Sequence, residues 1–353
     1  MKKNKIDDFD ITDTIEVNTP EEPINRFKTK EGRQSFKTRL ISAIVLLILL
    51  TGYVSAGAIY TYKNGLSNIE IAAYFTIIAS AILTGLCVYE MNKAMGFVKW
   101  YQQLITISTS VLAYGYPLLG FYDYGFYEKM DMDKWLQNWQ FVVVVVINLL
   151  IYLLIGLLDK NIGITKLSIN FGISLMIILA FKTFTMVSLE TVPGIGNEVI
   201  VKFSFNTIIW VWLMIIFGDT FAYIGGMAFG KTKLAPKISP KKTWEGAAVG
   251  LSCAFIGGTV YALMFYFFAP NFKPLNNSID QLNKPVVSVF IYILLSIAFP
   301  VIGLFGDLLF SAVKRYSGVK DFSRLIPGHG GLLDRLDSVI FSWFVLFFII
   351  ILI

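Results

Sequence analysis

VVSVFIYILLSIAFPVIGLFG, residues 286–306, carries no charged side chain, and SAVKRYSGVKDFSRLIPGHGGLLDRLD, residues 311–337, gathers charge, glycine and the chain's only histidine. The first stretch has the roughly 20-residue length that a bilayer core requires, so the second reads as the polar segment between two membrane spans. If the helix persists beyond Gly306, Asp307, Ser311 and Lys314 fall at i, i+4 and i+7 on one face. The run Pro327-Gly328-His329-Gly330-Gly331 is incompatible with regular helix, because proline removes a donor and glycine relaxes the backbone limits. It predicts a loop whose amides can approach a ligand closely. Asp334 and Asp337 share a face once the next helix has begun, and two carboxylates facing one way repel unless a cation lies between them.

Outward from this segment the chain is mostly apolar. Of its 353 residues 56% are hydrophobic and 15% charged, which excludes an ordinary soluble globule and predicts an all-α, polytopic integral membrane protein. Apolar runs of span length occur near 39–60, 69–89, 101–121, 140–158, 166–187, 206–229, 247–269, 286–306 and 338–353, giving about nine transmembrane helices. Residues 1–38 are polar and aperiodic and read as a disordered tail. No short apolar core follows the first lysines, so the tail is not expected to be a cleavable signal peptide. Its later basic residues, Arg26 to Arg39, crowd the membrane edge, where they set topology or attract anionic membrane lipids. Cys87 and Cys253 lie within apolar runs and imply no disulfide framework.

Lysine and arginine bias orients the chain. With the N-terminus cytoplasmic, the inside segments carry 23 basic residues and the outside loops six. Lys182 alone falls inside a span, near its outer end, from which it is expected to snorkel to the interface. Glu90 and Asp159 close the second and fourth spans on the inside and read as interface residues. Trp135, Trp139 and the tyrosines of 114–127 fit an interfacial aromatic belt.

A second basic segment is also inside. In Ser239-Pro240-Lys241-Lys242-Thr243-Trp244-Glu245-Gly246, two hydroxyls and two ammoniums stand where the seventh span is expected to start, and a helix N-terminus favours phosphate. Before it, Asp219 lies within the sixth span. A carboxylate there is costly unless it faces a partner, a cavity or water.

The pattern of Ser311, Lys314-Arg315, Lys320-Asp321, Pro327 to Gly331 and Asp334-Arg335-Leu336-Asp337 resembles the phosphatidate cytidylyltransferase family, also called CDP-diacylglycerol synthases. The Gly218-Asp219 pair and the Ser239–Gly246 segment are similar to the family as well. The resemblance implies a transmembrane catalytic domain over 39–353, with its motif-bearing part at about 206–353 and the active site on the cytoplasmic side. It implies attack of the phosphate of phosphatidic acid on the α-phosphorus of CTP, giving CDP-diacylglycerol and pyrophosphate. The expected catalytic residues are Asp307, Lys314, Arg315, Lys320, Asp321, His329, Asp334, Arg335 and Asp337. Substrate phosphates fall to Asp219, Ser239, Lys241, Lys242, Thr243 and Ser311.

Charge chemistry fits that reaction. Two anionic substrates repel, lysine and arginine offset the repulsion, and cations held by Asp307, Asp334 and Asp337 can bridge phosphate oxygens. Magnesium suits such a site, with a second cation compatible. A homodimer is a family expectation, and nucleic acid is not an expected partner. The lysine-rich composition would be natural for an AT-rich bacterial genome, and a bacterial cell membrane is the expected location. Two other classes use similar parts. A lipid or polyprenol kinase would release a nucleoside diphosphate instead of pyrophosphate, and an anion transporter would place its charges nearer the bilayer midplane.

Overall fold

The computed structural model describes residues 30–62, 70–116, 138–159, 162–193, 199–280, 284–328 and 330–352. In lipid a backbone must satisfy its own polar groups, which leaves the helix as the form for these apolar runs. Nine long helices result among the described residues: α1 (Lys30–Tyr62), α2 (Glu70–Ala94), α3 (Trp100–Gly115), α4 (Asn138–Leu158), α5 (Ile164–Leu189), α6 (Asn206–Phe229), α7 (Trp244–Phe268), α9 (Pro285–Tyr316) and α10 (Leu333–Leu352). A short α8 (Asn276–Asp280) precedes α9. Eight of the nine, all but α3, are long and apolar enough to cross a membrane. The protein is an integral membrane protein.

Several boundaries differ from the sequence expectation. Residues 30–38, assigned there to the tail, belong to α1, because a helix already nucleated in the following apolar run extends at little cost. Residues 1–29 lie outside the described residues. Asp307 does not close a span, since α9 continues to Tyr316. Lys182 does not snorkel. It is 0% exposed, and its Nζ donates to the backbone oxygen of Tyr114 at 2.8 Å and to that of Tyr116. An ammonium at the C-terminal end of α3 satisfies carbonyls that lack intrahelical partners and complements the helix dipole. Tyr114 is likewise no belt residue; it is buried and bonds the Thr185 hydroxyl at 2.7 Å. Trp139 is exposed, while Trp135, Tyr122, Tyr124 and Tyr127 lie outside the described residues.

Two layers meet at α5 and α10. Trp343 of α10 packs between Phe181 and Phe184 of α5 and Trp212 of α6. The closest helix pair is α6 with α7. A Cβ on Gly246 would come within 2.6 Å of the Ala222 oxygen, and one on Gly250 within 2.7 Å of the Ala222 Cβ. Small residues allow this backbone-to-backbone approach, which is how membrane helices gain packing energy without a hydrophobic drive.

Two hairpins decorate opposite ends of the bundle. β1 (Thr191–Pro193) pairs with β2 (Val199–Val201), and β3 (Lys233–Ala235) pairs with β4 (Ser239–Thr243). The β3–β4 hairpin joins the end of α6 to the start of α7. Glu245 fixes it by accepting the Lys231 and Thr232 amides, each at 3.1 Å.

Candidate active site

The hairpin carries the first group of site residues. Thr243 caps α7, its hydroxyl accepting the Gly246 amide at 3.2 Å. Lys241 and Lys242 therefore stand on a strand directly before the helix and not in its first turn. Lys242 forms an ion pair with Asp307 of α9, and Asp307 also accepts the Ser311 hydroxyl at 3.3 Å. Persistence of α9 past Gly306 thus brings Asp307, Ser311 and Lys314 to one wall. Arg315, on the next position, donates through Nε to the Ile238 oxygen at 3.3 Å, tying α9 to the turn between β3 and β4.

Beneath the Lys242–Asp307 pair lies a cavity of about 470 Å³ between α6, α7, α9 and the hairpin. Asp219, Lys241, Lys242, Thr243 and Asp307 line it at one end, and Met214, Ile215, Leu251, Pro300 and Leu304 line the rest. Gly218, Gly226 and Gly303 leave it room. The space has charged groups beside an apolar interior, the division an amphipathic ligand would need.

The motif loop folds onto the same face. Asp334, in the first turn of α10, has a side chain only 5% exposed and receives three donors: Lys314 Nζ at 2.9 Å, the Phe322 amide at 2.9 Å and the Gly331 amide at 2.9 Å. Ile326 donates its amide to the Gly330 oxygen at 2.9 Å, closing a turn in which Gly328 and Gly330 have positive φ values of 77° and 88°. Those values are open to glycine and strained for other residues. Gly330 also packs against Asp321. Lys320, Asp321 and Arg335 are exposed around the loop, and Ser239 is half-buried on β4. His329 lies outside the described residues.

The carboxylates do not gather as expected. Among the described residues, no three His, Cys, Asp or Glu side chains come together as a ready-made metal cage. Asp334 is engaged by Lys314 and two amides, which tie it to the loop. Asp337 instead lies in the electrostatic reach of Asp307 and Asp219, with Lys314 Nζ at 4.0 Å. The arrangement is one of sparse carboxylates compensated by ammoniums. An ion such as magnesium, which takes one or two carboxylates and completes its shell with water and substrate phosphate, would need no larger cluster.

Two residues carry roles that the sequence did not reveal. Glu90, expected at the interface, is 0% exposed. It accepts the Ser323 hydroxyl at 2.5 Å and the amides of Leu332 and Leu333 at 2.9 and 2.7 Å. Asp159, also expected at the interface, accepts Gln102 Nε2 at 3.0 Å and pairs with Lys99 at 2.8 Å. The Lys99–Asp159 hydrogen bond holds the Lys99 ammonium above the usual lysine range.

Residues 37–353 match the model of the Cytidylyltransferase family. The chain belongs to that family. Within the family it is similar to the phosphatidate cytidylyltransferase of Rickettsia typhi, 32% identical over 208 residues that cover 59% of this chain and 79% of the relative. The Haemophilus influenzae protein of the same name is 43% identical over 145 residues, 40% of this chain and 46% of that relative. A third, from Staphylococcus haemolyticus, is 40% identical over 134 residues, 38% and 45% of the two chains. The matched segment thus spans about half the length of two of these three relatives.

Proposed function

We propose that the chain transfers the cytidylyl group of CTP to phosphatidate, forming CDP-diacylglycerol and releasing pyrophosphate, at the cytoplasmic face of a bacterial membrane. The observation that carries this reading is the cavity whose charged end holds Lys241, Lys242, Asp219 and Asp307 and whose interior is lined by α6, α7 and α9 side chains. Relatives named for this activity and the lysine-arginine bias toward the site face support it.

An oxygen of the lipid phosphate forms the new bond to the α-phosphorus, and the bond from that phosphorus to the bridging oxygen of the β-phosphate breaks. The nucleophile is already anionic near neutral pH, so the protein's task is to position two anions and offset their repulsion. Lys241 and Lys242 suit the nucleotide phosphates, and the apolar interior suits the start of the acyl chains. Lys314 holds Asp334 and with it the loop. Lys320 and Asp321 on the loop and Arg335 at the start of α10 border the arriving phosphates, and His329 is assigned with them by the family resemblance. Asp307 and Asp337, with Asp219 near, are the carboxylates to hold magnesium; a second cation and homodimer formation are compatible. Bound magnesium would neutralise charge developing on the phosphate oxygens.

Purified protein in mixed micelles, given CTP and phosphatidate, should release pyrophosphate and yield a lipid bearing CMP. Release of a nucleoside diphosphate with ATP or CTP would establish the kinase reading in its place.

A further inference from the structure

Glu90 lies near the end of α2, in the half of the chain that supplies none of the motif residues, yet its carboxylate is buried against the motif loop. A buried carboxylate is costly unless donors compensate it, and among the described residues its three donors belong to one segment. They are Ser323 Oγ at 2.5 Å, the Leu332 amide at 2.9 Å and the Leu333 amide at 2.7 Å. The latter two are at the N-terminus of α10, where the helix dipole also favours a negative charge. Space for the carboxylate is made by Gly331, on which a Cβ would meet Glu90 Oε2 at 2.6 Å. Asp334 holds the same segment from within, through the amides of Phe322 and Gly331. The loop is thus clamped at its exit from two sides, and Asp337 follows one turn later on α10.

We infer that Glu90 is a positioning residue for the reaction: it sets the entry of α10, and thereby where Asp337 stands relative to Asp307 and Asp219. The inference rests on the proposed cytidylyl transfer for its activity readout, and on the loop's hydrogen bonds for its structural one. The partners of Glu90 belong to the motif loop and the start of α10 and not to the hairpin that bears Lys241 and Lys242, so its loss should reach turnover before nucleotide affinity.

The test is Glu90→Gln, which keeps shape and one acceptor oxygen but loses the charge. Turnover should fall by about 10²-fold, the cost of a small misplacement transmitted from outside the chemistry, while the KM for CTP stays near wild type. Hydrogen exchange should accelerate at the amides of residues 332 and 333. Wild-type turnover, or reduced turnover with unchanged exchange at those amides, overturns the inference. Should that variant fail to fold, Gly331→Ala carries the test, since its Cβ displaces the carboxylate. Shortening the partner with Glu90→Asp in that background should restore both turnover and amide protection, and failure to restore either refutes the clamp. If wild-type protein does not act on CTP and phosphatidate, the proposed function fails by itself. The exchange measurements still decide the clamp.

Discussion

Replacing Lys242 by glutamine removes an ammonium that both pairs with Asp307 and borders the cavity. Both side chains of the pair are 24% exposed, so the pair itself contributes little to folding, on the order of 1 kcal/mol or less for a part-exposed ion pair. The larger effect should appear with substrate. A hydrogen bond from an ammonium to phosphate contributes about 1.5–3 kcal/mol, and at about 1.4 kcal/mol per tenfold its loss corresponds to a rise of about 10- to 100-fold in the KM for CTP. Steady-state pyrophosphate release at varied CTP and fixed phosphatidate measures it, with thermal unfolding as the control for integrity. A normal KM for CTP in a well-folded variant would show that Lys242 only balances Asp307 and would refute its phosphate-binding role.

Other outcomes separate the carboxylates and test the packing. Asp307→Asn and Asp337→Asn should each abolish turnover with the protein still folded and inserted, and wild-type activity should vanish in chelator and return with magnesium; full activity in either variant removes that carboxylate from the metal site. Asp334→Asn should act differently, because breaking a buried pair costs about 3–5 kcal/mol; a lowered unfolding temperature and faster proteolysis of the 318–332 segment are expected, and an undisturbed loop would contradict the hydrogen bonds described. Gly246→Val should pry α6 from α7 and destabilise the protein by about 1–3 kcal/mol through overpacking, read as a lower unfolding temperature; wild-type stability would mean the two backbones are not in the contact seen.

The helices and the broad location of the site were legible because their signals are local. An uncharged run such as 286–306 states its own fate in lipid, where the backbone has no other way to satisfy its polar groups. The spacing of Asp307, Ser311 and Lys314 needed only the helix period to put them on one wall. A further local signal went unread: Gly246, Gly250, Ala254, Gly258 and Ala262 recur every fourth residue on the buried face of α7, and Gly218, Ala222 and Gly226 do the same on α6, which together encode the close α6–α7 contact.

What each carboxylate does was decided only by the tertiary structure. Asp334 and Asp337 look equivalent in the sequence, but one takes Lys314 and the Phe322 and Gly331 amides, while the other takes the Ser338 amide at 2.8 Å with Lys314 at 4.0 Å and Asp307 and Asp219 in electrostatic reach. Glu90 carries no signal at all, since its partners Leu332 and Leu333 are 242 and 243 residues away. Lys182 reads as a snorkelling residue until the end of α3 is seen to lie against it. Local composition marks eight of the nine expected spans and the residues too polar to be idle there, while the helix expected over 101–121 is, among the described residues, the 16-residue α3, not long and apolar enough to cross a membrane. Which donor meets which acceptor depends on how helices from distant parts of the chain pack, and no local period encodes that.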